Sequence, residues 1–155
     1  MCFGHGRTRS RPTLAEYQNP KLAVDCIIRV DGRLVFIRRR NRPLGLALPG
    51  GFVDYGESVE DAVRREMREE TGLGLDHLRQ FHVYSDPKRD PRWHCVSLVF
   101  TADGVGSPKA GDDASGIELV SAEDVPFEQL AFDHALVVRD YLASVGQIPG
   151  DNQAG

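Results

Sequence analysis

Gly51-Phe-Val-Asp-Tyr-Gly-Glu57, then seven residues, then Arg65-Glu-Met-Arg-Glu-Glu-Thr-Gly-Leu73 is the stretch on which the reading of this 155-residue chain turns. Ser58 is a good helix N-cap, its hydroxyl able to take a free backbone N–H. Gly72 is a good C′ residue, free to adopt positive φ. A helix is therefore expected between them. Its core-facing stripe, spaced i, i+3, i+4, i+7, i+8, i+11, reads Val59, Ala62, Val63, Glu66, Met67, Glu70. Two glutamates stand in the apolar stripe and Glu69 lies on its flank. Glu60, Asp61, Arg64, Arg65 and Arg68 supply an ordinary solvated face on the other side. A partly buried, unpaired carboxylate is costly or takes up a proton, and three together repel one another. A hard, oxygen-preferring cation such as Mg²⁺ or Mn²⁺ removes the conflict.

The same segment resembles the Nudix box and matches all nine of its defined positions: Gly51, Glu57, Arg65, Glu66, Met67, Glu69, Glu70, Gly72 and Leu73. The resemblance implies an α/β fold, the Nudix α/β/α sandwich with a mixed β-sheet between helices. It also implies metal-dependent hydrolysis of a nucleoside diphosphate linked to another group. By the same resemblance Glu66, Glu69 and Glu70 are the metal-binding and catalytic carboxylates. Arg65 and Glu57 form the pair that orients the helix, and Gly50 offers a main-chain carbonyl near the metal.

Outside the box, length and a 41% hydrophobic content fit one domain with a real core. That domain is expected at residues 19–146, with a loose arm at 1–18 and a tail at 147–155. The net charge of −4 argues against nonspecific nucleic-acid binding. It leaves room for a small phosphorylated substrate, because a metal supplies positive charge locally. Cys2, Cys26 and Cys95 are odd in number and widely spaced, which reads as reduced thiols in a cytoplasmic protein. Cys2 and His5 are too few for a zinc ribbon. No apolar stretch reaches membrane-spanning length, and a homodimer is left open.

Along the chain, Lys21–Val30 and Arg33–Arg38 read as a β-hairpin turning at Asp31-Gly32. Arg38-Arg39-Arg40 at its end fits either a phosphate contact, with Arg39 the candidate, or a solvated strand end. Residues 75–85 and 94–102 read as strands, 103–115 as a long loop, 117–120 as a short strand and 132–145 as an amphipathic helix. In Asp86-Pro-Lys-Arg89-Asp-Pro-Arg92 the two Asp-Pro pairs stiffen the loop. They present Arg89 and Arg92 as forks for phosphate, or else pair them with the loop's own aspartates. This wording is similar to a segment of Nudix ADP-ribose pyrophosphatases, as are Tyr17-Gln-Asn-Pro20 and Val24-Asp25. In such relatives an acidic residue from the late loop reaches the active site; Asp113 is the first candidate here and Asp112 the second. Asp133 reads as a cap and His134 as a packing or capping residue. Leu46 stands where relatives often carry tryptophan, which weakens any expectation of adenine stacking there.

The implied reaction is attack of water on a pyrophosphate phosphorus, with Glu66 or Asp113 taking the proton. With ADP-ribose the products are AMP and ribose 5-phosphate. Damaged nucleoside triphosphates or dinucleotides are alternative substrates. A non-catalytic ligand sensor is a third reading, opposed by the retention of every box residue.

Overall fold

The computed structural model describes residues 17–112 and 114–147. Most of the expected arm and tail, Cys2, His5 and Asp113 therefore lie outside the described residues. β1 (Lys21–Val30) turns into β2 (Arg33–Arg39) through Asp31 and Gly32, both at positive φ (50° and 73°). That is the backbone a tight two-residue hairpin requires, and an aspartate-glycine pair is well suited to it. The short strands β3 (Gly45–Ala47) and β4 (Gly50–Phe52) lead into helix α1 (Val59–Thr71). β5 (Gly74–Tyr84), β6 (Cys95–Val105) and β7 (Ala114–Val120) precede the terminal helix α2 (His134–Ser144).

The strands make one mixed seven-stranded sheet. Its main path runs β3-β2-β1-β6-β5, with β4 added to β1 and β7 to β2. β1 and β6 run parallel from Lys21↔Cys95 to Arg29↔Asp103. β1 meets β2 only at Arg29↔Leu34 and Val30↔Arg33. Its first half pairs instead with β4, at Ala23↔Phe52 through Asp25↔Gly50. The two strands of the hairpin thus part company beyond their turn, and a cleft opens in the fork.

Strand periodicity assigns each layer its side chains. Val24, Cys26 and Ile28 pack with Ala62, Val63 and Met67 under α1. Ile27 and Phe36 pack with Val137, Val138 and Leu142 under α2. Helices on both faces of a mixed sheet are the sandwich expected from the sequence.

α1 is bounded by the residues that its sequence nominates. Ser58 Oγ accepts from the Asp61 N–H at 3.1 Å. Gly72, at φ 70°, donates its N–H to Arg68 O at 3.0 Å. One expectation shifts. The fully buried stripe is Ala62, Val63, Met67 and Thr71, whereas Glu66 and Glu70 are half-buried at its edge. The helix is rotated so that Thr71, whose hydroxyl donates to Met67 O at 2.5 Å, enters the core in place of a carboxylate. The expected 103–115 loop is also shorter at both ends, because β6 runs on to Val105 and β7 begins at Ala114.

Candidate active site

The β1–β2 fork opens a cavity of about 370 Å³ between the C-terminal half of α1, the 86–95 segment and the start of α2. Its lining carries the carboxylates Asp25, Glu66, Glu70 and Asp90 and the guanidinium groups of Arg39, Arg40, Arg89 and Arg92. Groups of both charges therefore share a single cleft.

The glycine pair before α1 brings main chain and carboxylates together. Gly50 donates its N–H to Glu70 Oε2 at 2.9 Å. Gly51 lies so close to Glu66 that a Cβ there would overlap the carboxylate. Burial pushes the Glu70 carboxyl up to about 8, with Glu66 and Asp25 adding repulsion and the Gly50 hydrogen bond only partly compensating. Glu66 is also raised, by burial first, against the pull of Arg65. Both groups occupy the last two turns of α1, where the helix dipole is negative and disfavours further negative charge. The local field is therefore short of positive charge where the acidic groups are most crowded.

Arg65 organises the outer side. Its guanidinium grips Glu57 with two hydrogen bonds, of 2.8 and 2.9 Å, and donates to Phe52 O at 3.0 Å. It also reaches Glu66 at 2.7 Å and Glu69 at 3.2 Å. The Glu57 carboxyl is held below its ordinary value by the Arg65 hydrogen bonds. Glu69 is largely exposed and does not line the cavity. Among the described residues, no three His, Cys, Asp or Glu side chains are gathered into a metal-holding group. Arg65 binds Glu66 and Glu69 while Gly50 holds Glu70, so the three carboxylates have different partners. The chemistry of the donor set still fits a divalent cation. All the side-chain donors are carboxylate oxygens, and a group that burial alone would leave protonated near neutrality gains most from a nearby hard cation.

The arginine expectations divide. Arg92 lines the cavity, paired with Asp90 at 2.9–3.0 Å and set over the Trp93 and Phe132 rings. Arg39 lies 4.7 Å from the Phe132 ring centre and donates to Pro43 O at 2.6 Å. Arg89 does not offer a free fork. It is buried in the cavity lining, with Nε and one Nη of its guanidinium bound to Asp133 at 3.0 and 2.7 Å. Asp133 correspondingly makes no side-chain cap for α2. Asp112 is exposed, does not line the cavity, and enters only through its carbonyl, which accepts from Arg40 at 2.7 Å. Leu46 is fully buried in the core beneath α2. An aromatic side chain at that place in the backbone would meet the core and not the cavity, whose aromatic lining is Phe52 and Phe132.

Sequence reasoning passed over the floor of the site. Asp25 is buried, its Oδ2 accepting from the Ser97 hydroxyl and lying 3.9 Å from Arg89 and 3.8 Å from His134 Nε2. Burial alone would raise its carboxyl, but His134, Ser97 and Arg89 together hold it below the ordinary value. A usable signal existed, since Asp25 is the one charged residue in the otherwise apolar run Leu22–Ile28. Phe132 gave none. It sits at φ 57°, a left-handed conformation that bulky residues rarely adopt, at a cost of about 1–3 kcal/mol. Its neighbours hold it there, Asp133 through Arg89 and His134 through the Leu48 N–H, which donates to Nδ1 at 3.0 Å.

With this geometry in view, comparison with known proteins assigns the family. Residues 19–141 match the NUDIX domain, and the chain belongs to that family. It is a pyrophosphohydrolase of the Nudix class, whose members work with divalent metal ions and nucleotide substrates. The chain is 47% identical over 129 residues to the ADP-ribose pyrophosphatase of Methanocaldococcus jannaschii, covering 81% of this chain and 75% of the relative. It is 31% identical to an ADPR responsive transcriptional repressor of Acinetobacter baylyi, covering 77% of this chain and 52% of that protein. Among solved structures, a MutT/nudix family protein from Enterococcus faecalis superposes with TM-score 0.74 at 29% identity, covering 89% of this chain and 68% of that one. The NUDIX domain of Shewanella oneidensis NrtR, crystallised with ADP ribose, gives TM-score 0.76 over 86% of this chain and 94% of that one; its 24% identity speaks for the fold alone. Among the described residues no helix is long and apolar enough to cross a membrane.

Proposed function

We propose that this chain hydrolyses the pyrophosphate bond of ADP-ribose, giving AMP and ribose 5-phosphate, with Mg²⁺ or Mn²⁺ as its cofactor. One observation carries the reading: half-buried carboxylates short of positive charge share one cleft with guanidinium groups. A pyrophosphate with its cation satisfies both at once. The choice of ADP-ribose within the family draws on the pyrophosphatase relative at 47% identity.

Glu66, Glu69 and Glu70 would hold the metal, with the Gly50 carbonyl as a main-chain donor and Glu69 turning in from its Arg65 contact. When bound, that cation neutralises phosphate charge and makes the attacking water more acidic. Arg92 and Arg39 orient the pyrophosphate from the opposite wall. Glu66 accepts the proton of the attacking water, a role suited to its place in the cleft against Gly51. Glu57 and Arg65 fix the start of α1 against β4 and so set where Glu66 points. Arg89 supports the cleft wall through its paired hydrogen bonds to Asp133.

The test is a panel of nucleoside diphosphate derivatives and nucleoside triphosphates, assayed with Mg²⁺ and with Mn²⁺ for released phosphomonoesters. ADP-ribose is expected to be turned over, yielding AMP. Undetectable cleavage of ADP-ribose beside brisk cleavage of a triphosphate would overturn the substrate assignment and leave the family assignment intact.

A further inference from the structure

His134 is the first residue of α2, almost fully buried, and it closes the α2 side of the cavity floor. Its Nδ1 accepts the Leu48 N–H at 3.0 Å, and its Nε2 faces Asp25. A nitrogen that accepts from a backbone N–H carries no proton of its own, so the ring's N–H is on Nε2, toward the carboxylate. Two further contacts converge on the same few residues of main chain. Cys26 N–H donates to Pro49 O at 3.0 Å, and the Asp25 carboxylate packs against the Gly50 α-carbon. The next link is the Gly50 N–H, which holds Glu70. Residues 48–50 are thus clamped from the α2 side, and their last amide grips a carboxylate of the α1 side.

We propose that His134 is a positioning residue: with Asp25 it fixes the Leu48–Gly50 main chain so that the Gly50 N–H keeps the Glu70 carboxylate in the cleft. The proposal deepens the hydrolase reading of the same site. Asp25 is itself held by the Ser97 hydroxyl, which is wholly buried, and every buried side-chain polar atom among the described residues has a partner. Such fully satisfied interior networks hold one arrangement rigidly. They are suited to transmit position across a sheet, from one helix to a carboxylate on the other.

The experiment separates His134's two nitrogens. His134→Leu removes the acceptor for Leu48. His134→Asn places an amide oxygen near the position of Nδ1 and preserves an acceptor. Amide hydrogen exchange by NMR is read at Leu48, Gly50 and, as a reference in α1, Met67. His134→Leu is expected to speed exchange at Leu48 and Gly50 by about tenfold or more while leaving Met67 within about threefold of the parent. His134→Asn is expected to recover most of that protection. Alongside, kcat on whichever phosphoanhydride the parent cleaves is expected to fall about tenfold or more in His134→Leu, with KM little changed. A uniform rise at all three amides, or unchanged Gly50 exchange in His134→Leu, overturns the proposal. If His134→Leu does not fold, His134→Gln, whose oxygen lies nearer the Nε2 position, takes its place in the same comparison. The exchange measurement needs no substrate, so failure of the ADP-ribose assignment leaves it readable.

Discussion

Replacing Glu70 by glutamine tests the electrostatics of the cleft most directly. The unfolded chain titrates this carboxyl near 4.5, whereas burial in the folded protein moves it up to about 8. The folded state therefore keeps its proton while the unfolded state releases one, so stability falls as pH rises from about 4.5 to 8 and is level beyond. At about 1.4 kcal/mol per unit the full shift would cost roughly 4–5 kcal/mol. The side chain borders a solvent-filled cleft, and allowing for screening brings the figure to about 2 kcal/mol. Glutamine removes the charge and keeps an oxygen for the Gly50 N–H. Metal-free Glu70→Gln is thus expected to melt about 4–8 °C above the parent at pH 8 and level with it near pH 4.5. Millimolar Mg²⁺ or Mn²⁺ should raise the parent's melting temperature and close that gap, since a ligand of the folded state stabilises it. Turnover should fall more than about tenfold, a barrier increase above ~1.4 kcal/mol. Calorimetric scans across pH with chelator, followed by metal titration and a rate assay, cover every part. An equal melting temperature at pH 8 without metal would refute the burial reasoning, and retention of over about a tenth of kcat would remove Glu70 from the catalytic ligands.

Other perturbations probe the remaining walls. Arg92→Ala is expected to lower kcat/KM for ADP-ribose by about tenfold, near the low end of a charge-assisted contact because Asp90 already holds part of the fork; equal values would show the loop to be structural only. Arg89→Met removes both side-chain hydrogen bonds of the partly buried Asp133 and should cost about 3 kcal/mol, read as a lower urea midpoint at unchanged slope. Lost activity with an unmoved midpoint would instead return Arg89 to the substrate. Gly51→Ala drives a methyl group into the Glu66 carboxylate and should reduce kcat about tenfold or more with an unchanged circular dichroism spectrum; full activity would show that Glu66 tolerates displacement.

The elements that carry local signals were legible in the chain. Ser58, Gly72 and the apolar stripe bounded α1, Asp31-Gly32 located the hairpin turn, and the box register nominated Glu66 and Glu70. What escaped depends on contacts between distant segments. Arg89 and Asp133 stand 44 positions apart, and nothing near either one indicates that they pair. Leu46 stands where relatives often carry tryptophan, yet pairing of β3 with β2 turns it into the core. Asp25 was visible as a charge in an apolar run, but its partners Ser97 and His134 arrive from β6 and α2.

The parallel pairing of β1 with β6 also governs the order in which the molecule is built. Every partner in that ladder lies more than seventy positions away, and the hairpin, the glycine pair and α1 are all enclosed in the intervening loop. Closing so long a loop costs chain entropy before its contacts repay it, which makes such pairings slow. The carboxylates of α1 can form their helix early from local interactions alone. They meet the Arg92 segment and the Ser97 support of Asp25 only once β6 docks, so the cleft is expected to be completed after the acidic helix. A substitution that slows β6 docking should therefore delay the recovery of activity on refolding while leaving the recovery of helical signal almost untouched.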